Sequence, residues 1–115
     1  MSWHDVKWSP SEKKIARAAY DAAVEAALAR ILVEFKRQAE AAKEPADMWA
    51  VETYLRDARR EIDDMFEYSY SRLLVVFGYA LRKGYLTEHS LAGLGEDKLA
   101  VIRELLASAR WPSRT

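Results

Sequence analysis

The sequence predicts an all-α fold, and three observations support this prediction. Apolar residues recur at spacings of three and four along most of the 115-residue chain, which is typical of amphipathic helices. Alanine, glutamate, lysine and arginine, all strong helix formers, dominate residues 10–42. The chain shows no alternation of apolar and polar residues of the kind that a half-buried strand requires.

The first helix begins at a capping box, Ser9-Pro10-Ser11-Glu12, with proline at the first helical position. Nothing interrupts it before about Ala42, so it spans roughly 33 residues and about 50 Å. One continuous apolar face consists of Tyr20, Val24, Leu28, Ile31, Phe35 and Ala39. A second, smoother face consists of Ala16, Ala19, Ala23, Ala26 and Ala27. These small side chains would let another helix come close.

A turn at residues 43–46 precedes the second helix, which begins at Pro45 and Asp47. Residues 47–83 read as one helical stretch, with a bend expected at 68–71 where the apolar stripe changes register. The stripe predicted to be buried consists of Met48, Val51, Leu55, Ala58, Ile62 and Met65. Gly84, which follows two cationic residues, marks the end of this stretch.

Two further helices are predicted after Gly84. A short one starts at residues 87–90 and stops at Gly93, and a last one runs from Gly95 to about Ala109. Its inward positions are Leu99, Ile102 (or Val101), Leu105 and Leu106. We therefore expect one domain over 1–115, with an antiparallel two-helix stalk at about 9–70 and a small helical head at about 71–110. The ends, 1–7 and 112–115, are expected to be mobile.

The first helix is longer than the domain that should contain it. A compact domain of this size has a radius of gyration of about 13–14 Å and is about 35 Å across. The helix would therefore expose apolar surface at one end, and a second chain would cover it. The sequence predicts an elongated, antiparallel homodimer. A kinked or frayed first helix is the monomeric alternative.

Composition excludes several classes of function. Acidic and basic residues number 18 each and are spread evenly, which argues against nucleic acid as a partner. The absence of cysteine excludes disulfides and thiol chemistry and fits a reducing cytoplasm. Residues 1–9 lack the apolar core of a signal peptide, and the longest apolar run, 73–77, is too short to span a bilayer. We expect a cytoplasmic protein with no membrane partner.

The residues that carry enzyme chemistry are sparse. Neither His4 nor His89 has a glutamate three positions before it, which excludes a di-iron bundle. His89 also lacks the context of an activated serine, and it reads as a surface or capping residue. The acidic side chains at 61–67 alternate with arginines as in an ion-paired helix face. The sequence therefore predicts no catalytic residue, metal or cofactor.

Trp49 is the most informative residue. At roughly 100° per residue it points about 150° away from the centre of the predicted buried stripe, among charged side chains. An aromatic residue in such a place is typical of a recognition surface. The alternative is that Trp49 packs under the first helix or against a second copy of the chain. The residues predicted to bind a partner are Trp49, Glu52, Thr53, Arg56, Arg59 and Arg60.

The chain resembles the fluorescence recovery protein family from Trp8 to about Leu106. The residues that carry the resemblance include Trp8-Ser9 with Glu12, Asp47-x-Trp49, and Leu55 with Arg59-x-Glu61-Ile62-Asp63. They continue with Phe66, Ser71, Leu74, Val76-Phe77, Leu81, Gly84, Leu91, Leu94, Asp97-Lys98 and Ile102. None of these is a catalytic signature, but together, in register over a whole domain, they are specific for the family.

The resemblance implies a regulator that is not an enzyme. Such proteins bind the C-terminal domain of the photoactivated orange carotenoid protein and accelerate its return from the red to the orange state. They also help to detach it from the phycobilisome. The family is all-helical, with a long two-helix stalk that forms the dimer and a smaller head. Its functional patch contains a tryptophan and an arginine that match Trp49 and Arg59.

This chain departs from the family pattern within that patch. Family members active in photoprotection carry a His-Asp pair where Glu52 and Thr53 stand here, and a tyrosine where Arg60 stands. An arginine is replaced by Ser69, and a tyrosine and a glutamate of the first helix are replaced by Val24 and Ala27. Three functions therefore remain open: a carotenoid-protein regulator, an adaptor for an unrelated partner, and an enzyme or small-molecule binder. The last would need a closed pocket with convergent polar groups.

Overall fold

Four α-helices form the described part of the protein. The structure is a computed structural model that describes residues 6–108. Within this range α1 spans Pro10–Ala41, α2 Pro45–Met65, α3 Leu73–Lys83 and α4 Glu96–Ala107, with a 3₁₀ turn at Glu88–Leu91 before α4. These residues contain no strand, and the all-α prediction is confirmed.

The start of α1 is fixed by the predicted capping box. The Ser9 hydroxyl accepts a hydrogen bond from the Glu12 N–H at 3.2 Å, and the Glu12 carboxylate accepts one from the Ser9 N–H at 3.0 Å. Both bonds satisfy backbone donors that a helix start leaves unpaired. The helix then continues for 32 residues without interruption.

Helix α2 returns along α1 in the antiparallel direction. Gln38, near the end of α1, lies beside Val51 near the start of α2. Ile31, earlier in α1, lies beside Ile62, later in α2. Because the pairing moves backwards along α1 as α2 advances, the two helices form a hairpin.

The single helical stretch predicted at 47–83 is wrong, because the chain leaves the helix at 66–72. Aromatic packing against α1 explains the break. The ring of Tyr68 meets that of Tyr20 edge to face, with centroids 5.0 Å apart, and the Arg17 guanidinium lies 4.4 Å from the Tyr68 ring centre. Tyr68 thus packs on α1 while most of α3 is buried in the core, and we infer that these tertiary contacts outweigh local helix propensity.

The core lies between the N-terminal half of α1 and the C-terminal helices. Three residues of the predicted alanine face, Ala16, Ala19 and Ala23, are buried there, and their small side chains let α3 approach closely. The described members of this core are Ala16, Ala19, Ala23, Leu73, Leu74, Phe77, Ala80, Leu86, Leu91, Leu94 and Ile102. The predicted last helix thus turns Ile102 inward, at 1% exposure.

The stripe of α2 that the sequence predicts to be buried is only partly covered. None of the α2 residues is fully buried, and Met48 and Leu55 are 57% and 36% exposed. Within one chain α2 has a single long neighbour, α1, which shields only one side of the stripe. This part of the prediction is wrong for the isolated chain.

Glu12 and Lys98 join the two ends of the core. Lys98 is 3% exposed, and its ammonium lies 3.1 Å from the Glu12 carboxylate and 5.1 Å from the ring centre of Trp8. The same carboxylate accepts a hydrogen bond from the Gly95 N–H at 2.7 Å. These bonds lower the pKa of Glu12 from 4.5 to about 2, chiefly through the backbone N–H groups of Ser9 and Gly95. One carboxylate therefore ties α1 to the start of α4.

Gly84 ends α3 as predicted, with a left-handed φ of 80° and with Arg82 and Lys83 in the last turn. The short predicted helix is the 3₁₀ turn, and its stop at Gly93 has a φ of 101°. The ends expected to be mobile were 1–7 and 112–115. Of these, residues 1–5, which include His4, and 112–115 lie outside the described residues, as does the predicted end of the last helix at Ala109. Val6 is described, and it packs against the core.

Candidate protein-interaction surface

Trp49 lies in the first two turns of α2, close to a helix start that is stabilised by hydrogen bonds. Asp47 accepts hydrogen bonds from the backbone N–H groups of Lys43 at 2.9 Å and Glu44 at 3.0 Å, and these bonds lower its pKa. Pro45 occupies the first helical position. The Trp49 side chain is 66% exposed. A rigid helix therefore presents a large aromatic side chain to solvent in the single chain.

An ion pair lies next to Trp49 on the same helix. One nitrogen of Arg56 donates to both oxygens of Glu52 at 2.7 Å, and this raises the pKa of Arg56. Both side chains are more than half exposed, so the pair contributes little to stability. It does shape the surface, because much of the charge of Arg56 is already balanced before any partner arrives.

The two remaining arginines of the predicted site point to different sides of α2. Arg59 lies 3.9 Å from Asp63 and borders an apolar groove that contains Leu55. Arg60 borders a polar cavity on the other side. By helix geometry Thr53, Arg56 and Arg60 lie within about 40° of Trp49, whereas Glu52 and Arg59 lie about 60–80° away. Four of the six predicted residues therefore lie along one side of α2, and we call this side the ridge: Trp49, Thr53, Arg56 and Arg60.

The apolar groove runs between α1 and α2. Its two adjoining parts enclose about 380 and about 280 Å³. Leu28 and Leu32 of α1 are 51% and 50% exposed within it. The groove is lined by Leu28, Ile31, Leu32, Phe35, Leu55, Arg59, Ile62 and Asp63. The sequence placed most of these residues on apolar faces but did not show that the hairpin leaves them open.

The polar cavity, of about 490 Å³, lies where α1, α2 and the end of α3 meet. Arg30 of α1 donates a hydrogen bond to the Lys83 carbonyl at 2.7 Å, and its guanidinium lies 4.7 Å from the ring centre of Tyr85. The lining residues are Arg30, Ile31, Tyr54, Asp57, Ala58, Arg60, Glu61, Ile62, Lys83 and Tyr85. Sequence reasoning missed this cavity, because its walls come from three elements that no motif connects.

Residues 6–108 contain no cluster of histidine, aspartate or glutamate side chains arranged to hold a metal ion. His89 lies exposed in the 3₁₀ turn. None of the helices in this range has the length and apolarity needed to cross a bilayer.

Comparisons with known proteins agree with one another. Residues 8–106 match the model of a family described as photoprotection regulator fluorescence recovery protein. A fluorescence recovery protein from Synechocystis is 28% identical over 101 residues, covering 88% of this chain and 93% of that protein. The structure of the fluorescence recovery protein from Fremyella diplosiphon superposes with a TM-score of 0.81 at 33% identity, covering 86% of this chain and 97% of that one. The Synechocystis structure gives a TM-score of 0.80.

Proposed function

The chain belongs to the fluorescence recovery protein family, a family of photoprotection regulators, and on that premise we propose that it binds the C-terminal domain of a photoactivated orange carotenoid protein. By doing so it accelerates the return of that protein from the red to the orange state. The observation that carries the proposal is the exposure of Trp49, 66%, at the rigid start of α2. The same premise supports a cytoplasmic location.

The proposed action needs binding energy but no catalytic chemistry. A regulator shifts a conformational equilibrium only by binding one state more tightly than the other. To speed the return as well, the surface must bind the transition state between the red and orange forms more tightly than it binds the red form. An exposed tryptophan flanked by arginines supplies affinity of this kind, since these residue types dominate interface energetics. The proposed contact residues are Trp49, Glu52, Thr53, Arg56, Arg59 and Arg60.

We also propose that the active form is a homodimer, with the α1–α2 hairpin as its stalk and the helices after residue 70 as a head. The support is the apolar groove, in which Leu28 and Leu32 are half exposed and Leu55 is 36% exposed. An elongated apolar surface of this kind is rare on monomers. A second copy packed antiparallel would place the same leucines against each other.

The test is the dark recovery of photoactivated orange carotenoid protein, followed by absorbance with and without this chain. We expect faster recovery with the wild-type chain. Trp49→Ala should lower the affinity on the order of tenfold without changing stability, because the side chain is exposed. Val33→Ala is the matched control, since Val33 is 68% exposed and lies outside the proposed surface. Unchanged recovery with a folded wild-type chain would refute the proposal.

A second candidate function is an adaptor for an unrelated partner. The Glu52–Arg56 ion pair favours it, because this pair lies beside Trp49 and gives the surface a charge pattern that differs from the His-Asp pattern of the family. An adaptor would leave carotenoid-protein recovery unaffected and would still need Trp49. Capture of partners from a cell extract by wild-type and Trp49→Ala chains would separate the two functions.

A further inference from the structure

The polar cavity and the apolar groove lie on opposite sides of the seam between α1 and α2. Ile31 and Ile62 line both, whereas every other lining residue belongs to only one of them. A dimer formed through the groove would therefore leave the cavity open. The cavity is also more polar than the groove, with tyrosine, arginine, lysine and carboxylate side chains in its walls. The proposed dimer does not explain why charged and tyrosine side chains gather in this cavity.

Charge within the cavity favours an anionic group. Its walls hold three cations, Arg30, Arg60 and Lys83, against two carboxylates, Asp57 and Glu61. Lys83 lies 3.7 Å from Glu61, so these two charges largely balance. The remaining charges of the walls are the two guanidinium groups of Arg30 and Arg60 and the single carboxylate of Asp57. The guanidinium group binds carboxylates through parallel hydrogen bonds, which suits this excess of donors.

One donor of the cavity, Arg30, is held in place before any ligand arrives. The bond from Arg30 to the Lys83 carbonyl, together with its packing over Tyr85, fixes the position of its guanidinium. Gly84 follows directly after Lys83, and its backbone φ of 80° turns the chain at the point where Arg30 binds. Such preorganisation reduces the entropy cost of binding.

Tyrosine hydroxyls add neutral donors. Burial raises the pKa of Tyr54, and nearby Glu34 and Tyr85 raise it further, so its phenol keeps its proton at neutral pH. Behind Tyr85, at a ring-centroid distance of 6.1 Å, lies the buried Tyr79. Its hydroxyl has no hydrogen-bond partner within the described residues. The tyrosines that line the cavity itself are Tyr54 and Tyr85, and a phenol hydroxyl can donate a hydrogen bond to an anionic group.

We propose that the polar cavity receives an aspartate or glutamate side chain of the protein partner, held by Arg30 and Arg60 between Tyr54 and Tyr85. This inference rests on the proposed function and extends it to a second anchor point. Arg60 lies on the same ridge as Trp49, 11 residues further along α2, which corresponds to about 16 Å. One protein surface can reach both. Tyrosine and arginine in a recess are typical of interface hot spots.

The first test uses the free protein and needs no knowledge of the partner. N-acetyl-aspartate methylamide is titrated into the isotope-labelled chain, and the arginine side-chain N–H signals are followed by NMR. We expect saturable shifts at Arg30 and Arg60, with none for the uncharged asparagine analogue. Arg103, an exposed arginine of α4 that is ion-paired with Glu88 and Glu96, is the internal control. Equal shifts at Arg103, or equal shifts from the asparagine analogue, would overturn the proposal.

Inorganic phosphate separates a side-chain pocket from a general anion site. If phosphate shifts the same signals at the same concentration as the aspartate derivative, the cavity is an anion site and the assignment of a carboxylate side chain is wrong. We expect the aspartate derivative to bind at lower concentration, because only it can place a planar carboxylate on two guanidinium groups.

The second test measures binding to photoactivated orange carotenoid protein. Arg30→Glu, which changes the cavity but none of the contact residues of the proposed function, should weaken binding on the order of tenfold. Lys14→Glu, an exposed charge reversal on the same helix, should not. Equal affinity for the two variants would overturn the cavity proposal while leaving the proposed function intact. If the wild-type chain does not bind, the proposed function fails, and the NMR titration alone decides whether the cavity takes a carboxylate. Circular dichroism confirms that each variant is folded.

Discussion

At the scale of single residues, Glu12 does more than its sequence motif indicates. The capping box predicts its bond to Ser9, and the structure confirms it at 3.0 Å. The same carboxylate also binds Gly95 and the nearly buried Lys98, more than 80 residues away in sequence. A buried ammonium is costly unless it is paired. We infer that Glu12 is needed for the C-terminal helices to stay on α1.

Glu12→Gln should therefore destabilise the protein by about 2–3 kcal/mol at neutral pH. The pKa of Glu12 is lowered on folding, from 4.5 to about 2. Its stabilising effect is thus complete above about pH 4.5 and is lost as the pH falls towards 2. Urea unfolding of both proteins across this range should show the difference in unfolding free energy shrinking with acidity.

Glu34→Gln is the matched control for this measurement. Glu34 also has a pKa lowered to about 2, chiefly by its hydrogen bond to Arg37, but the pair lies at the surface of α1. Solvent screens such a pair, so its loss should change stability far less. Equal effects of the two substitutions would contradict the role assigned to Glu12.

At the scale of the helices, α1 uses its two predicted faces differently. The alanine face is buried against the C-terminal helices, with Ala16 and Ala23 at 0% exposure, whereas Leu28 on the apolar face is 51% exposed. Hydrophobicity alone would have buried the leucine first. Within one chain the alanine face is buried instead, because its small side chains allow the backbone of α1 to approach α3 closely. This approach buries Phe77 fully.

Ala23→Leu should destabilise the protein by about 1–3 kcal/mol, because the added methyl groups have no space between α1 and the helices packed on it. Ala22→Leu adds the same atoms at an exposed position of the same helix and should change stability by less than about 0.5 kcal/mol. Thermal unfolding followed by circular dichroism measures both. A stable Ala23→Leu protein would mean that the alanine face is not a close-packed contact.

The break between α2 and α3 shows a limit of local reasoning. Residues 66–72 contain neither glycine nor proline, and the sequence accordingly predicted a bend without locating a break. The structure places three aromatic side chains there in contact with α1 or its N-terminal flank: Phe66 and Tyr68 pack on Tyr20, and Tyr70 packs on Trp8. Long-range packing of this kind cannot be read from helix propensity.

At the scale of the whole molecule, the described chain is elongated. It measures 53 × 27 × 20 Å with a radius of gyration of 16.5 Å, whereas a compact chain of this length would have a value of about 13–14 Å. The extra length is the hairpin beyond the core, and the apolar groove lies on it. The groove supports the proposed dimer, and the polar cavity on the other side of the hairpin supports the proposed second contact with the partner.

Leu28→Glu should convert the proposed dimer into a monomer, because it places a charge in the apolar groove. Val33→Glu puts the same charge on an exposed apolar residue outside the groove and should leave the dimer intact. Sedimentation velocity at several concentrations measures the mass of each species. A monomeric wild-type chain, or an unchanged dimer in Leu28→Glu, would contradict the proposed interface.

The sequence by itself determined the helical class, the caps at Ser9 and Gly84, and the family. These features depend on local chemistry. Ser9 accepts a hydrogen bond from a backbone N–H of the helix start, Gly84 tolerates a left-handed backbone, and apolar residues repeat at the spacing of a helix. It also predicted the direction of Trp49, because 100° per residue needs no tertiary information. The exposure of Trp49 in the single chain agrees with that geometry.

Only the tertiary structure decided which faces are covered. It opened the groove beside Arg59, and it assembled the polar cavity beside Arg60 from Arg30, Tyr54 and Tyr85. It also paired Lys98 with Glu12. The physical reason is that burial and charge pairing depend on distances between residues far apart in sequence, and those distances are set only when all the helices pack together.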